Sequence, residues 1–196
     1  TYTPSPSQPA AQNQKTSSFH SAQSVTDMSE EWKAMPAYSG SYLRNRGIKA
    51  ETVELFDVRQ DSMSNACFKH YNLKNSEVIG WEVKNAAYTG FNRGGSRGLG
   101  VQVVGNSRDL PTIIIVTETA IDSMSYYQLH KKPKDNQKFV YISTGGALTL
   151  VQQETLVKLM QQYPSAQLIL AQDADEAGEK MAQRLAIHAP RQPVRD

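Results

Sequence analysis

From Pro111 onward the apolar positions fall into three short blocks, each followed by a stretch with helical spacing. PTIIIVTE (111–118) is a β-branched run, the signature of a strand buried on both faces, and TAIDSMSYYQLH (119–130) repeats its apolar residues at helical intervals. KFVYIST (138–144) predicts a second strand and GGALTLVQQETLVKLMQQY (145–163) a glycine turn and a second helix. AQLILAQD (166–173) and ADEAGEKMAQRLAIHA (174–189) repeat the pattern. Strand–helix alternation implies right-handed crossovers and a parallel sheet, so 110–196 is expected to be an α/β domain.

Upstream the pattern is mixed. SEEWKAMPAYSGSYLRNRGI (29–48) predicts helix, break, helix, and KAETVELFDV (49–58) a short helix leading to a strand. EVIGWEVKNAAYTGFN (77–92) predicts strands with a turn, and RGGSRGLGVQVVG (93–105) a basic glycine-rich loop running into a strand. Residues 28–109 therefore read as a small α+β module. Residues 1–27 are rich in Pro, Ser, Gln and Ala and too poor in apolar residues to offset their ordering entropy, so they are expected to be a disordered linker. A chain that opens on a linker is expected to be part of a larger parent protein.

Composition narrows the chemistry. The net charge of +2 does not by itself announce a nucleic-acid partner. One cysteine, Cys67, and four scattered histidines argue against a structural zinc site, and Cys67 is expected in the core. No signal peptide and no long apolar run are present, which predicts a soluble, cytoplasmic protein without membrane contact.

In a parallel α/β sheet, ligands gather beyond the carboxyl ends of the strands. Here the three strands end at Glu118, at STGGA (143–147), and at Asp173 with Asp175. Residues i and i+2 of an extended chain face the same way, so both aspartates can approach one volume, with Glu118 arriving from a neighbouring strand. Three carboxylates without His or thiol favour Mg²⁺ or Mn²⁺, and Mg²⁺ works with phosphate, which makes phosphoryl transfer the natural chemistry. The alternative is plain: Asp is a common N-cap, and acids suit a first helical turn. Asp122, one turn after Glu118, either adds a carboxylate to the metal site or caps its helix. Gly145 and Gly146 either bring backbone N–H groups to a phosphate or serve a tight turn needing positive φ.

IIIVTETAIDSMSYY, YISTGGALT and LILAQDADEAGEKMA resemble the three blocks of the Toprim domain, shared by bacterial primases, topoisomerases and old-type nucleases. The family's Glu after the first strand, Gly after the second and D-x-D after the third match Glu118, Gly145 and Asp173/Asp175, so the resemblance implies that these acids hold the metal and carry catalysis. Thr119 stands where the family usually has glycine. SYLRNRGIKAETVELFDV resembles the small module that precedes the Toprim domain in primases and plasmid mobilisation proteins, and GWEVKN…GFNRGGSRGLG is more similar to the latter group. Asp196, in APRQPVRD, matches an Asp that follows the last strand of such domains.

The resemblance implies a DNA-processing protein of the plasmid mobilisation or primase type, with single-stranded DNA as partner and nucleoside triphosphates as candidate substrates for primer synthesis. A non-catalytic DNA-binding module of a relaxase and a metal-dependent nuclease are the alternatives. A topoisomerase would need a longer chain, and a receiver domain would carry its acid pair after the first strand. Arg44, Arg46, Lys84, Arg93 and Arg97, with Lys49 nearby, are candidates for a phosphate-binding groove, Arg93 and Arg97 because glycine and a bidentate guanidinium suit phosphate contact. The alternative is a solvated surface, which is also the expectation for HKKPKDNQK (130–138). Trp81, Tyr88 and Phe91 are expected in the core rather than stacked on bases.

Overall fold

A computed structural model describes residues 25–106, 108, 110–130 and 132–196. Most of the expected linker and Lys131 of the basic run lie outside the described residues.

The module opens with α1 (Ser29–Ala34), α2 (Tyr42–Asn45) and α3 (Ala50–Leu55). An antiparallel sheet follows, in the order β1 (Arg59–Gln60), β2 (Ala66–Asn72), β3 (Glu77–Lys84), β4 (Thr89–Phe91). Strand β2, ACFKHYN, has no counterpart in the sequence reading. Its apolar residues are interleaved with Lys69, His70 and Asn72, and only the tertiary structure shows that His70 is wholly buried.

The second sheet runs in the order β5 (Gly100–Gly105), β7 (Lys138–Ser143), β6 (Ile113–Thr117), β8 (Gln167–Leu170), β9 (Val194–Arg195). β7, β6 and β8 are mutually parallel, as the alternation of elements predicts, and the short β9, which that alternation does not include, pairs parallel to β8. β5 is antiparallel to β7 along its whole length. The sequence reading put residues 100–105 in the upstream module, whereas the structure gives them to the larger sheet, because β7 offers an open edge that only a strand can satisfy.

The helices α4 (Ala120–Leu129), α5 (Leu150–Gln162) and α6 (Glu176–Ala186) each start at a side-chain cap. Thr119 and Asp122 form one capping box, Thr149 and Gln152 another, and Asp175 caps α6. α6 buries Gly178, Met181, Ala182 and Leu185, a single stripe at i, i+3, i+4, i+7. The last three of these join Ile114, Val116, Val140, Ile142, Leu156 and Leu170 in the main core.

Two features lock the module to the larger domain. Ala66 and Phe68 of β2 pack with Ile121 and Met124 of α4, and with Leu43, Ile48 and Val58. A bridge joins the sheets, with Tyr71 N–H donating to Leu99 C=O at 2.8 Å and Leu99 N–H donating back at 3.2 Å. Cys67 and Trp81 are core residues, as expected, packed with Met28, Trp32 and Val83. Tyr88 differs from the expectation: it is half exposed, being on the turn into a three-residue edge strand.

Candidate functional site

The parallel strands end on one edge, and the acids gather there. A side chain at Gly178 would collide with the Asp173 carbonyl and come within 3.0 Å of Glu118 Oε1, so the start of α6 lies directly against the glutamate. Gly178 is glycine because that cradle has no room. Glu118 Oε1 is buried and has no hydrogen-bond partner among the described residues. Desolvation raises the Glu118 carboxyl above its ordinary range, and the charges of Asp173, Asp175 and Asp122 push the same way against one opposing hydrogen bond from the Asp173 backbone.

The four acids play different parts. Asp175 Oδ1 accepts from Gly178 N–H at 2.8 Å, so its side chain caps α6. Asp122 Oδ2 accepts from Thr119 N–H at 2.9 Å and Thr119 Oγ1 at 2.7 Å, which makes it the acid of a capping box. Asp173 is exposed, and no hydrogen bond to its carboxylate is found among the described residues. Among the described residues, no group of three or more His, Cys, Asp or Glu side chains converges tightly enough to enclose an ion. Among the described residues each of the four keeps an oxygen outside these bonds: Glu118 Oε1, the Asp173 carboxylate, Asp175 Oδ2 and Asp122 Oδ1. Such oxygens suit a hard cation bound by one or two carboxylates and completed by water and phosphate.

The turn after β7 is built as a tight turn. Gly145 has φ +69° and Gly146 φ +102°. A Cβ at Gly145 would sit 2.8 Å from the His70 ring, so conformation and space both demand glycine. Gly146 N–H donates to the Glu118 carbonyl at 2.9 Å and is therefore spent on the fold. Arg97 clamps the same turn from outside, donating to the carbonyls of Gly145 (2.9 Å), Ala147 (3.2 Å) and Thr144 (3.4 Å).

The expected basic groove is divided. Arg97 is committed to the turn. Arg93 is exposed and lines a cleft of about 660 Å³ with Trp81, Tyr88, Phe91 and Asn92. Arg44 and Lys49 line a different cleft of about 730 Å³, with Tyr38 and Glu54. Arg46 is exposed and lies over the Tyr42 ring. Lys84 is buried and paired to Glu82 at 3.0 Å. Lys132, expected to be merely solvated, lies over the Tyr127 ring and reaches the Tyr127 carbonyl.

Several residues of the site were invisible from the sequence. His70, Glu82 and Gln152 lie under the glycine turn, and Arg195 reaches back to the carbonyls of Leu170, Gln172 and Asp173. Alternation within EVIGWEVK, which puts Glu82 and Lys84 on one face of β3, was the one available signal.

Residues 115–196 match the family described as Toprim-like, and residues 41–103 match a family described as a protein of unknown function (DUF3991). No curated protein matches the chain. Among solved structures, the crystal structure of the primase fragment of the bacteriophage T7 primase-helicase protein is similar, with a TM-score of 0.55 and 20% identity over 83% of this chain and 69% of that one. At that identity the likeness speaks to the fold, which spans both the small module and the larger sheet. The chain thus carries a Toprim-like domain over residues 115–196, set behind a small α+β module in a primase-like arrangement.

Proposed function

We propose that this is the metal-binding, DNA-processing part of a primase-like protein, and that its chemistry is phosphoryl transfer at Glu118 and Asp173. The observation that carries the reading is the buried, unpartnered Glu118 Oε1 beside the Asp173 backbone, in a carboxyl raised by desolvation and by the neighbouring acids. An uncompensated buried oxygen among like charges is costly in a fold and is relieved by a cation. Toprim domains generally bind a divalent metal, and the oxygen-only donor set here fits Mg²⁺ or Mn²⁺. Glu118 and Asp173 would hold it, with Asp175 orienting the loop through its cap. When bound, the metal stabilises charge on phosphoryl oxygens and lowers the pKa of an attacking hydroxyl. The chain's own part is to leave Glu118 Oε1 and the Asp173 carboxylate free for the metal and to bring nucleic acid to an edge that would otherwise repel it. Single-stranded DNA and nucleoside triphosphates are the proposed ligands, with Arg93, Arg44 and Arg46 meeting the backbone.

The test is Mn²⁺ relaxation or calorimetry on the whole chain. Asp173→Asn with Asp175→Asn is expected to abolish the signal. Asn caps helices as well as Asp does, so the double variant should still fold. Unchanged metal binding in that variant would move the site elsewhere.

A second reading is a DNA-binding module without turnover, in a relaxase of the plasmid mobilisation kind. It is favoured by the capping roles of Asp122 and Asp175, which commit one carboxylate oxygen of each to the fold. Primer synthesis or DNA cleavage by the purified chain with Mg²⁺ or Mn²⁺ would exclude it.

A further inference from the structure

Arg195, on the edge strand β9, spends its guanidinium on the loop that carries Asp173. Nη1 donates to the carbonyls of Leu170 (3.1 Å) and Gln172 (3.2 Å) and to Gln172 Oε1 (3.3 Å). Nη2 donates to the Asp173 carbonyl at 3.2 Å. Nε lies 3.6 Å from Glu179 Oε2, in the first turn of α6. The side chain is 35% exposed, yet all three nitrogens face the protein's own acceptors. One residue thus joins the end of β8, the loop after it and the start of α6.

That loop has no ladder of its own. Residues 171–175 lie between β8 and α6 and belong to neither. Asp173 is fixed instead through both halves of its backbone. Its N–H donates to the Glu118 carboxylate. Its carbonyl accepts from Arg195 and lies where a Cβ at Gly178 would be 2.1 Å away.

Gln172 ties the clamp to β6. It is 5% exposed, and its Nε2 donates to the Val116 carbonyl at 2.8 Å, two residues before Glu118. Its Oε1 accepts from Arg195. The hydrogen bonds therefore form a closed path, from Val116 to Gln172, Arg195 and Asp173, and back to Glu118 just beyond the same strand.

We propose that Arg195, supported by Gln172, is a positioning residue that sets the Asp173 carboxylate against Glu118 for a divalent cation. The physical reason is preorganisation. An exposed aspartate on an irregular loop loses backbone freedom when it binds an ion. Here that freedom is lost on folding, so binding itself costs less. The inference rests on the reading of Glu118 and Asp173 as the cation pair.

The experiment is Mn²⁺ binding to the whole chain by relaxation or calorimetry, with backbone amide exchange measured in the metal-free protein. Arg195→Ala removes a positive charge beside the acids, so charge alone would tighten Mn²⁺ binding. Positioning predicts the opposite, a loss of about tenfold, the scale on which groups that orient metal ligands act. In the metal-free variant the Asp173 amide is expected to exchange about tenfold faster while the amides of β6 and β7 keep their protection, a local release rather than a general loosening. Gln172→Met is neutral and leaves the Val116 carbonyl to the Ala171 N–H, which donates to it at 2.9 Å. It is expected to weaken Mn²⁺ in the same direction, and it decides the matter should Arg195→Ala fail to fold. Unchanged or tighter Mn²⁺ binding in Arg195→Ala overturns the positioning role and leaves the cation pair in place. Exchange that rises equally across β6, β7 and Asp173 makes Arg195 a general stabiliser and also overturns the role. A wild-type chain that binds no Mn²⁺ overturns the pair itself.

Discussion

At the scale of single residues, two of the acids at strand ends, Asp122 and Asp175, cap helices through one carboxylate oxygen each. Thr119, at φ −129°, is an unstrained N-cap whose hydroxyl and amide meet Asp122. The family's usual glycine is thus replaced by a residue that strengthens the helix start. Thr119→Ala is expected to cost about 1 kcal/mol in urea denaturation, whereas Thr119→Gly should cost only a few tenths. Glu118 tests the site. Its carboxyl is raised in the folded state, so its contribution to stability is fully present below the unfolded carboxyl pKa and is lost as pH rises through the folded one. Glu118→Gln should therefore raise Tm at pH 7, with the gain vanishing below about pH 4, under the ordinary glutamate range. Excess Mg²⁺ should raise the wild-type Tm and leave the Glu118→Gln variant unmoved.

Among the elements, the turn after β7 is the least readable from sequence and the most constrained in space. Its glycines adopt positive φ, its carbonyls are held by Arg97, and Gln152 Nε2 donates to Thr144 and Gly98 from within. An arginine beside glycines was expected to meet phosphate, yet here the backbone carbonyls of one turn present the same acceptor pattern and are permanently in place. Arg97→Ala removes three such bonds from a partly exposed site. It is expected to cost about 1–3 kcal/mol and to raise amide exchange in 144–149 before it alters anything else. Gly145→Ala should be worse than the usual glycine substitution, because the new methyl meets His70 as well as a strained φ.

For the whole molecule, the two halves share a core and exchange a strand. Trp32 and Trp81 both lie in the module, so their fluorescence reports it, while far-UV dichroism reports the helices of the larger domain. Ala66 and Phe68 packed on α4, and β5 paired with β7, predict coincident unfolding curves from the two probes. Curves separated by more than their error would show two independent units. Nucleic-acid binding is also a property of the whole surface. Arg93 and Arg97 are both exposed, and Arg97 is held by the carbonyls of the turn, which leaves Arg93 as the loop's candidate for the backbone. Arg93→Ala should make the slope of log K against log salt shallower by about 0.7 for single-stranded DNA, whatever its sequence.

The alternation of β-branched runs with capped amphipathic helices was enough, without coordinates, to determine the parallel sheet and to place Glu118, the glycine turn and Asp173 at one edge. These are local properties: strand burial, helix period and capping chemistry are all written in windows of a few residues. The same local rules left open whether Asp122 and Asp175 cap or ligate, because both uses need the same residue type at the same position. Only the tertiary structure settled their hydrogen bonds, moved β5 into the larger sheet, buried Lys84 and laid Arg97 over the outside of the glycine turn. The last three of those outcomes depend on a partner far away in the chain: β7 for β5, the facing strand β2 for the burial of Lys84, the 144–147 carbonyls for Arg97. A long side chain carries no mark of whether it will meet solvent, a ligand or its own backbone until the fold has brought those surfaces together.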